Sequence, residues 1–341
     1  MTKNIIVTGG AGYIGSHTVI ELVNCGFTPI IIDNFSNSNP EIINRIEKIC
    51  NKKIKTYNIN CVDKEQLMKN INWNEIDGVI HFAAYKSVSE SFKKKEDYFL
   101  NNIESTKVLL KIIEKYDIRT FVFSSSCTVY GNPTKLPVTE KTEIKKQASP
   151  YGETKKICEE LISSSIIKNF TILRYFNPIG AHASSLIGEQ PSHTPNNLVP
   201  LICECAIGKR NKLTIYGNDY ATKDGTCIRD YIHVCDVAQA HVHALQNMTK
   251  TNTIRKIFNI GLSRGITVLE LINLFEKNNN IKINYEVGKR RDGDVEKIYA
   301  DCSLAKKELN WTPKKTIAKA LIDAWNWEKK KFKLNNPLNL H

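Results

Sequence analysis

The chain has 341 residues, 41% hydrophobic and 24% charged, with a formal net charge of +13. That length suffices for a large core and two domains, and the balance is that of a globular protein rather than a disordered or fibrous one. No apolar run approaches the roughly 18 residues of a spanning helix, and the basic excess lies in scattered short runs such as Lys93–Lys95, Lys145–Lys146 and Lys329–Lys331, with no membrane or nucleic-acid motif beside them.

The opening Met-Thr-Lys-Asn leads straight into an apolar run, so no signal or transit peptide is expected. The ten cysteines are dispersed, without a C-x-x-C pair or a metal-like spacing, and are expected to be reduced thiols. No metal is expected, and a cytoplasmic enzyme is the resulting expectation.

Apolar runs predict strands at Ile5–Thr8, Pro29–Asp33, Lys55–Asn58, Gly78–Phe82, Thr120–Ser124 and Thr171–Tyr175. Helical periodicity lies between them, as at Asn101–Tyr116 and Tyr151–Ile162. Strands alternating with helices predict an α/β fold with a doubly wound parallel sheet. From Asn177 onward the texture changes to loops punctuated by Pro and Gly. A smaller mixed α/β domain over 177–341 is therefore expected after a nucleotide-binding domain over 1–176. Arg229–Ala244 and Ile257–Ile260, within a stretch near 229–261, are expected to pack back on the first domain.

Two clusters carry chemistry. Gly9, Gly12 and Gly15 form G-x-x-G-x-x-G between the first strand and a helix that stops at Gly26. Glycines permit a tight turn and close backbone approach, and the helix amino terminus presents free N–H groups to a pyrophosphate. Asp33 ends the second strand, where a carboxylate accepts from an adenosine ribose and repels a 2′-phosphate, so NAD is expected over NADP. Tyr151 and Lys155 stand four apart at the start of a helix, on one face, behind Ser149 as N-cap and Pro150. Ser124–Ser126 closes a strand at the sheet edge where ligands gather. A free phenol titrates near ~10; a neighbouring ammonium and a cationic nicotinamide both favour the phenolate. Tyr151 then serves as base for a sugar hydroxyl while Ser126 holds its oxygen.

With these residues placed, the whole chain resembles the extended short-chain dehydrogenase/reductases, and within them the UDP-glucose 4-epimerase family. The likeness is carried by Val7–His17, Asp33–Ser38, His81–Ser91, Phe121–Gly131, Ser149–Lys155 and Leu173–His182. It continues through Pro195–Pro200, Ile215–His233 and Arg290–Asp294. It implies a Rossmann-type fold, bound NAD, and interconversion of UDP-galactose and UDP-glucose by reversible hydride transfer at C4 through a 4-keto sugar. Ser126, Tyr151 and Lys155 would be the catalytic trio. Cofactor contacts would come from Tyr13, Ile14, Asn34, Phe35, Ser36 and Asn37. Ser38, Cys61, Val62, Phe82, Ala83 and Ala84 would add to them, together with Lys86, Asn101 and Phe176. The UDP-hexose would meet Lys86, Asn177, Asn197, Leu198, Leu213 and Tyr216, with Arg229, Arg291, Asp294 and Ile298. Guanidinium forks suit a diphosphate.

The chain departs from the family pattern at Cys61, where many members carry an Asp; Asp63 follows two residues later. Ile298 stands at the sugar-pocket gate, intermediate in size between the residues of relatives, which extends the expected substrates to UDP-GlcNAc and UDP-GalNAc. Cys127-Thr128 replaces the Asp-Glu of dehydratases and argues against dehydration. A pentose or uronic-acid 4-epimerase, and a non-catalytic NAD-binding sensor, remain as alternatives. The helices at Asn101–Tyr116 and Tyr151–Ile162 correspond to those that pair a homodimer in relatives.

Overall fold

A computed structural model describes residues 3–190, 195–248, 253–291 and 293–335. Met1, Thr2, Asp292 and residues 336–341 of the segments read above lie outside the described residues. The first half runs β1 (Asn4–Thr8), α1 (Tyr13–Asn24), β2 (Thr28–Ile32), α2 (Glu41–Cys50), β3 (Lys55–Tyr57), α3 (Lys64–Asn70), β4 (Gly78–His81) and α4 (Val88–Lys93). It continues with α5 (Lys95–Lys115), β5 (Thr120–Ser126), α6 (Pro150–Ser164) and β6 (Phe170–Tyr175). The second half contains β7 (Asn177–Ile179), α7 (Leu198–Ala206), β8 (Leu213–Tyr216), β9 (Ile228–His233), α8 (Val234–Met248) and β10 (Arg255–Ile260). It ends with β11 (Gly265–Thr267), α9 (Val268–Asn279), β12 (Tyr285–Gly288), β13 (Lys297–Ile298), α10 (Ser303–Glu308) and α11 (Ile317–Asn335).

Side chains alternate across a strand, and β1 shows the consequence. Ile5 and Val7 face a core shared with α1, α2 and α8, whereas Ile6 faces the opposite core under α3, α5 and α6. A strand buried on both faces needs a continuous apolar run, and helices must cover each side. The result is a seven-stranded sheet in the order β10-β6-β5-β4-β1-β2-β3, with every neighbouring pair parallel. This is the Rossmann-type doubly wound sheet. The chain leaves β1 toward β2 and β3, then crosses back to β4 on the other side. That reversal opens a crevice at the carboxyl ends of β1 and β4, where such sheets bind ligands.

β10 pairs with β6 along six residues, so a late segment completes the edge of the large sheet. The smaller part holds a sheet in the order β11-β9-β13 with β7 also on β9, and a separate β12-β8 pair. Its own core joins Val199, Ile202, Leu213, Phe275 and Leu321. The register of β9 is what matters for the site. Arg229 lies opposite Ile298 and Tyr231 opposite Asn177, which gathers three distant segments at one edge.

Candidate active site

The turn after β1 is shaped by what glycine lacks. Gly9 sits at φ +67°, and a Cβ there would fall 2.8 Å from the backbone nitrogen of Ala83. A Cβ on Gly15 would lie 2.2 Å from the Gly9 carbonyl oxygen. The cradle is therefore filled by backbone alone. Gly12 is the N-cap of α1 and offers no side-chain cap, so the first-turn amides are left for a ligand.

A cleft runs from this cradle along the carboxyl edge of the sheet. Its walls include Gly9, Gly12, Tyr13, Ile14 and Gly15, then Asp33, Asn34, Ser36, Asn37 and Ser38. Cys61, Phe82, Ala83, Ala84, Lys86 and Asn101 follow, and Tyr151 and Lys155 close the far end. Asp33 follows directly on β2. Its Oδ2 accepts from Ala11 N at 3.0 Å, and its Oδ1 accepts from Phe35 N at 2.9 Å and Ser38 Oγ at 3.0 Å. Burial nonetheless raises its pKa above the usual carboxylate value, with those donors opposing. Phe35, at φ +56°, packs against the core, and neither it, Val62 nor Phe176 lines the cleft. Asp63 does not take the place left by Cys61. Its carboxylate caps α3 by accepting from Gln66 N at 3.0 Å.

Ser149 caps α6 by accepting from Gly152 N at 3.2 Å, with Pro150 opening the helix. Such a cap is worth about 1 kcal/mol, and here it also aims the next two turns. Tyr151 and Lys155 consequently share the face toward β5. Lys155 Nζ donates to the Ser124 carbonyl at 2.7 Å and lies 6.0 Å from the Tyr151 ring centroid. Burial lowers the Lys155 pKa to about 8. Burial is also the main reason that the Tyr151 phenol is raised, with Tyr175 beside it adding to the effect. Ser126 ends β5 and is 8% exposed, and its Oγ accepts from Thr128 N at 3.2 Å.

A second cavity of about 830 Å³ adjoins this cleft, sharing Tyr85, Lys86 and Glu189 with it. Its walls bring together Asn177, Asn197, Arg229, Arg291, Asp294 and Ile298. Asp294 Oδ1 accepts from Arg291 Nη2 at 2.9 Å and lies 3.6 Å from Arg229 Nη2. Tyr216 does not line the cavity; it is exposed, with its ring centroid 5.5 Å from the Arg291 guanidinium carbon. Leu198 and Leu213 pack on the core of the smaller part, and their side chains do not line the cavity.

Tyr175, Glu189 and Gln190 line the cavities without having been singled out in the sequence, while Ser124 and Thr128 were read only as part of the strand-end Ser cluster and of the Cys127-Thr128 pair. Among the described residues, Thr128 Oγ1, Asn177 Oδ1 and Gln190 Oε1 are buried without a protein partner. Buried polar atoms are nearly always paired, so three orphans on the walls of adjoining cavities mark a polar ligand. Thr128 and Asn177 sit in motif segments read for the family likeness, whereas nothing local in the sequence distinguishes Gln190 or Glu189.

Comparison with known proteins agrees with this geometry. Residues 6–323 match the family described as GDP-mannose 4,6 dehydratase, which sets the class: Rossmann-fold proteins that act on sugar nucleotides. The chain is 46% identical to the UDP-glucose 4-epimerase of Haemophilus influenzae over 98% of both chains, and 42% identical to that of Bacillus subtilis over 95% of this chain and 96% of the other. A UDP-glucose 4-epimerase from Stenotrophomonas maltophila, crystallised with NAD and formylated UDP-arabinopyranose, superposes with a TM-score of 0.93 at 40% identity, covering 97% of this chain and 99% of that one. The Bifidobacterium longum enzyme, with NAD+ and UDP, gives 0.90 at 40% identity over 98% and 99%. This chain belongs to the UDP-glucose 4-epimerase family.

Proposed function

We propose that this protein interconverts UDP-galactose and UDP-glucose by inverting C4 of the hexose through a 4-keto sugar, with NAD retained. The observation that carries the reading is the meeting of Tyr151 and Lys155, on one helix face, with a glycine-cradled cleft that adjoins a guanidinium-lined cavity. NAD suits the first cleft, because the Gly9–Gly15 turn has no room for side chains and would hold a pyrophosphate with backbone amides, and the Asp33 carboxylate would accept from an adenosine ribose and repel a 2′-phosphate. When bound it supplies a hydride acceptor that later returns what it took. In this reading residues 1–176 with the stretch near 229–261 hold NAD, and residues 177–341 mainly hold the UDP-sugar.

Tyr151 accepts the proton of the C4 hydroxyl and returns one to the keto oxygen after the sugar has turned. Ser126 orients that oxygen. Lys155, protonated below about pH 8, favours the phenolate through its charge. Arg229 and Arg291 grip the diphosphate, and Asp294, now bridging them, is free to take ribose hydroxyls once phosphate has replaced it. Anchoring by UDP alone lets the hexose present either face. Tyr151→Phe tests the assignment. Turnover of UDP-galactose should fall by at least about 100-fold, while nucleotide released on denaturation stays at the native level; near-normal turnover would contradict it.

Ile298, 3% exposed, lines the second cavity, and in this reading it stands against the sugar. The proposal therefore includes slower turnover of UDP-GlcNAc and UDP-GalNAc, which product analysis on those sugars checks directly. It also includes a homodimer through α5 and α6, supported by Leu100 standing 65% exposed on α5; light scattering should return twice the chain mass.

A further inference from the structure

Glu189 has no part in the chemistry above, yet it sits at the junction of the two cavities and lines both. Its side chain is only 9% exposed. One oxygen, Oε1, accepts from Lys86 Nζ at 3.0 Å and from Asn197 Nδ2 at 2.6 Å. Those donors come from opposite halves of the molecule. Lys86 follows β4 of the large sheet, and Asn197 is the N-cap of α7. The carboxylate is held in place by its own backbone, whose carbonyl accepts from Trp327 Nε1 of α11 at 3.2 Å. The preceding Gly188 presses against the same indole, leaving no room for a Cβ.

A mostly buried carboxylate between two cavities that each receive a diphosphate is electrostatically out of place unless it does something there. It engages the cation and the amide that an incoming phosphate or sugar hydroxyl would use. We propose that Glu189 is a positioning residue that acts as an internal counter-anion. It keeps Lys86 and Asn197 aimed into the site while the site is empty, and competes with the UDP diphosphate for them when it is full. The competition weakens nucleotide binding and speeds release. This inference rests on the UDP-sugar reading of the second cavity.

The test is calorimetric titration of UDP into the NAD-loaded, full-length protein and its E189Q variant. The amide keeps an acceptor for both donors but removes the charge, so aim is preserved while competition is lost. UDP should bind about fivefold more tightly to E189Q, with a lower KM for UDP-galactose and unchanged NAD content. A residue with only a structural role would leave affinity unchanged or weaken it, and either result overturns the proposal. E189S serves if E189Q does not fold; it should also bind UDP more tightly than wild type, by a smaller factor because the donors lose their anchor. Failure of the wild-type protein itself to bind UDP would contradict the reading of the cavity, whereas normal wild-type binding with no gain in either variant would contradict this inference alone.

Discussion

Burying an ammonium is destabilising unless it is paired and hydrogen-bonded, and Lys155 is 4% exposed with a backbone carbonyl as its close acceptor. Its folded pKa of about 8 lies below the ordinary lysine value of 10.5. Below pH 8 both folded and unfolded chains carry the proton, and the folded chain bears the full penalty. As pH rises from about 8 toward 10.5 the unfolded chain binds more protons, so stability rises. Lys155→Met should therefore abolish turnover yet stabilise the nucleotide-free protein by about 1–3 kcal/mol at pH 7, with the gain shrinking above pH 8; denaturant unfolding at pH 7 and pH 9.5 measures both. The shared helix face of Tyr151 and Lys155 was legible in the sequence because a capping serine, a proline and an i, i+4 spacing are local signals. Glu189 was not. Its partners lie 103 residues before it and 8 after it, and no spacing rule connects a loop carboxylate to a lysine that the fold alone brings near.

At the scale of elements, the turn between β1 and α1 packs as tightly as backbone permits. A methyl group on Gly15 meets the Gly9 carbonyl and the Gly10 Cα, both main chain, so neither can swing aside. Gly15→Ala should cost about 1–3 kcal/mol of stability and lower the nucleotide recovered from the purified protein, read together by thermal unfolding and by absorbance after denaturation. The six leading strands were predicted to within two residues; most are buried on both faces and read as apolar runs that need no partner to be seen, whereas the edge strand β3 (Lys-Thr-Tyr) is partly exposed and was read from its place in the alternation. The helix read from Asn101 begins instead at Lys95. Its first turn carries Glu96 and Asp97, which favour a helix start through the macrodipole, but with Lys95 they leave no apolar stripe to read. Short strands such as β7 and β13 were invisible for another reason. They exist only because β9 offers an edge to each.

At the scale of the whole molecule, burial keeps imidazoles neutral: His17 and His81 have pKa lowered to about 3, and His241 to about 4, all mainly by burial. His241 lies between Phe82 and Tyr175, with ring centroids 4.5 and 5.8 Å away. Between pH 4 and the unfolded value near 6.5, the unfolded chain binds a proton at each site that the folded chain refuses, so these residues make stability fall as pH falls. Asp230, whose pKa burial raises to about 6, works in the opposite direction over part of that window. His241→Gln removes one such proton; its stability should depend on pH less steeply there, by up to about 1.4 kcal/mol per pH unit, whatever the absolute loss from repacking. Unfolding by urea at pH 5 and pH 7.5 gives that slope.

In the proposed reaction, hydrogen leaves C4 of the hexose and returns to C4 within one closed site. Incubating the protein with UDP-[4-²H]galactose, without added nucleotide cofactor, examines it directly. The product should be UDP-glucose that keeps the deuterium at C4. UDP-glucose with solvent hydrogen at C4, or no inversion at all, would contradict it.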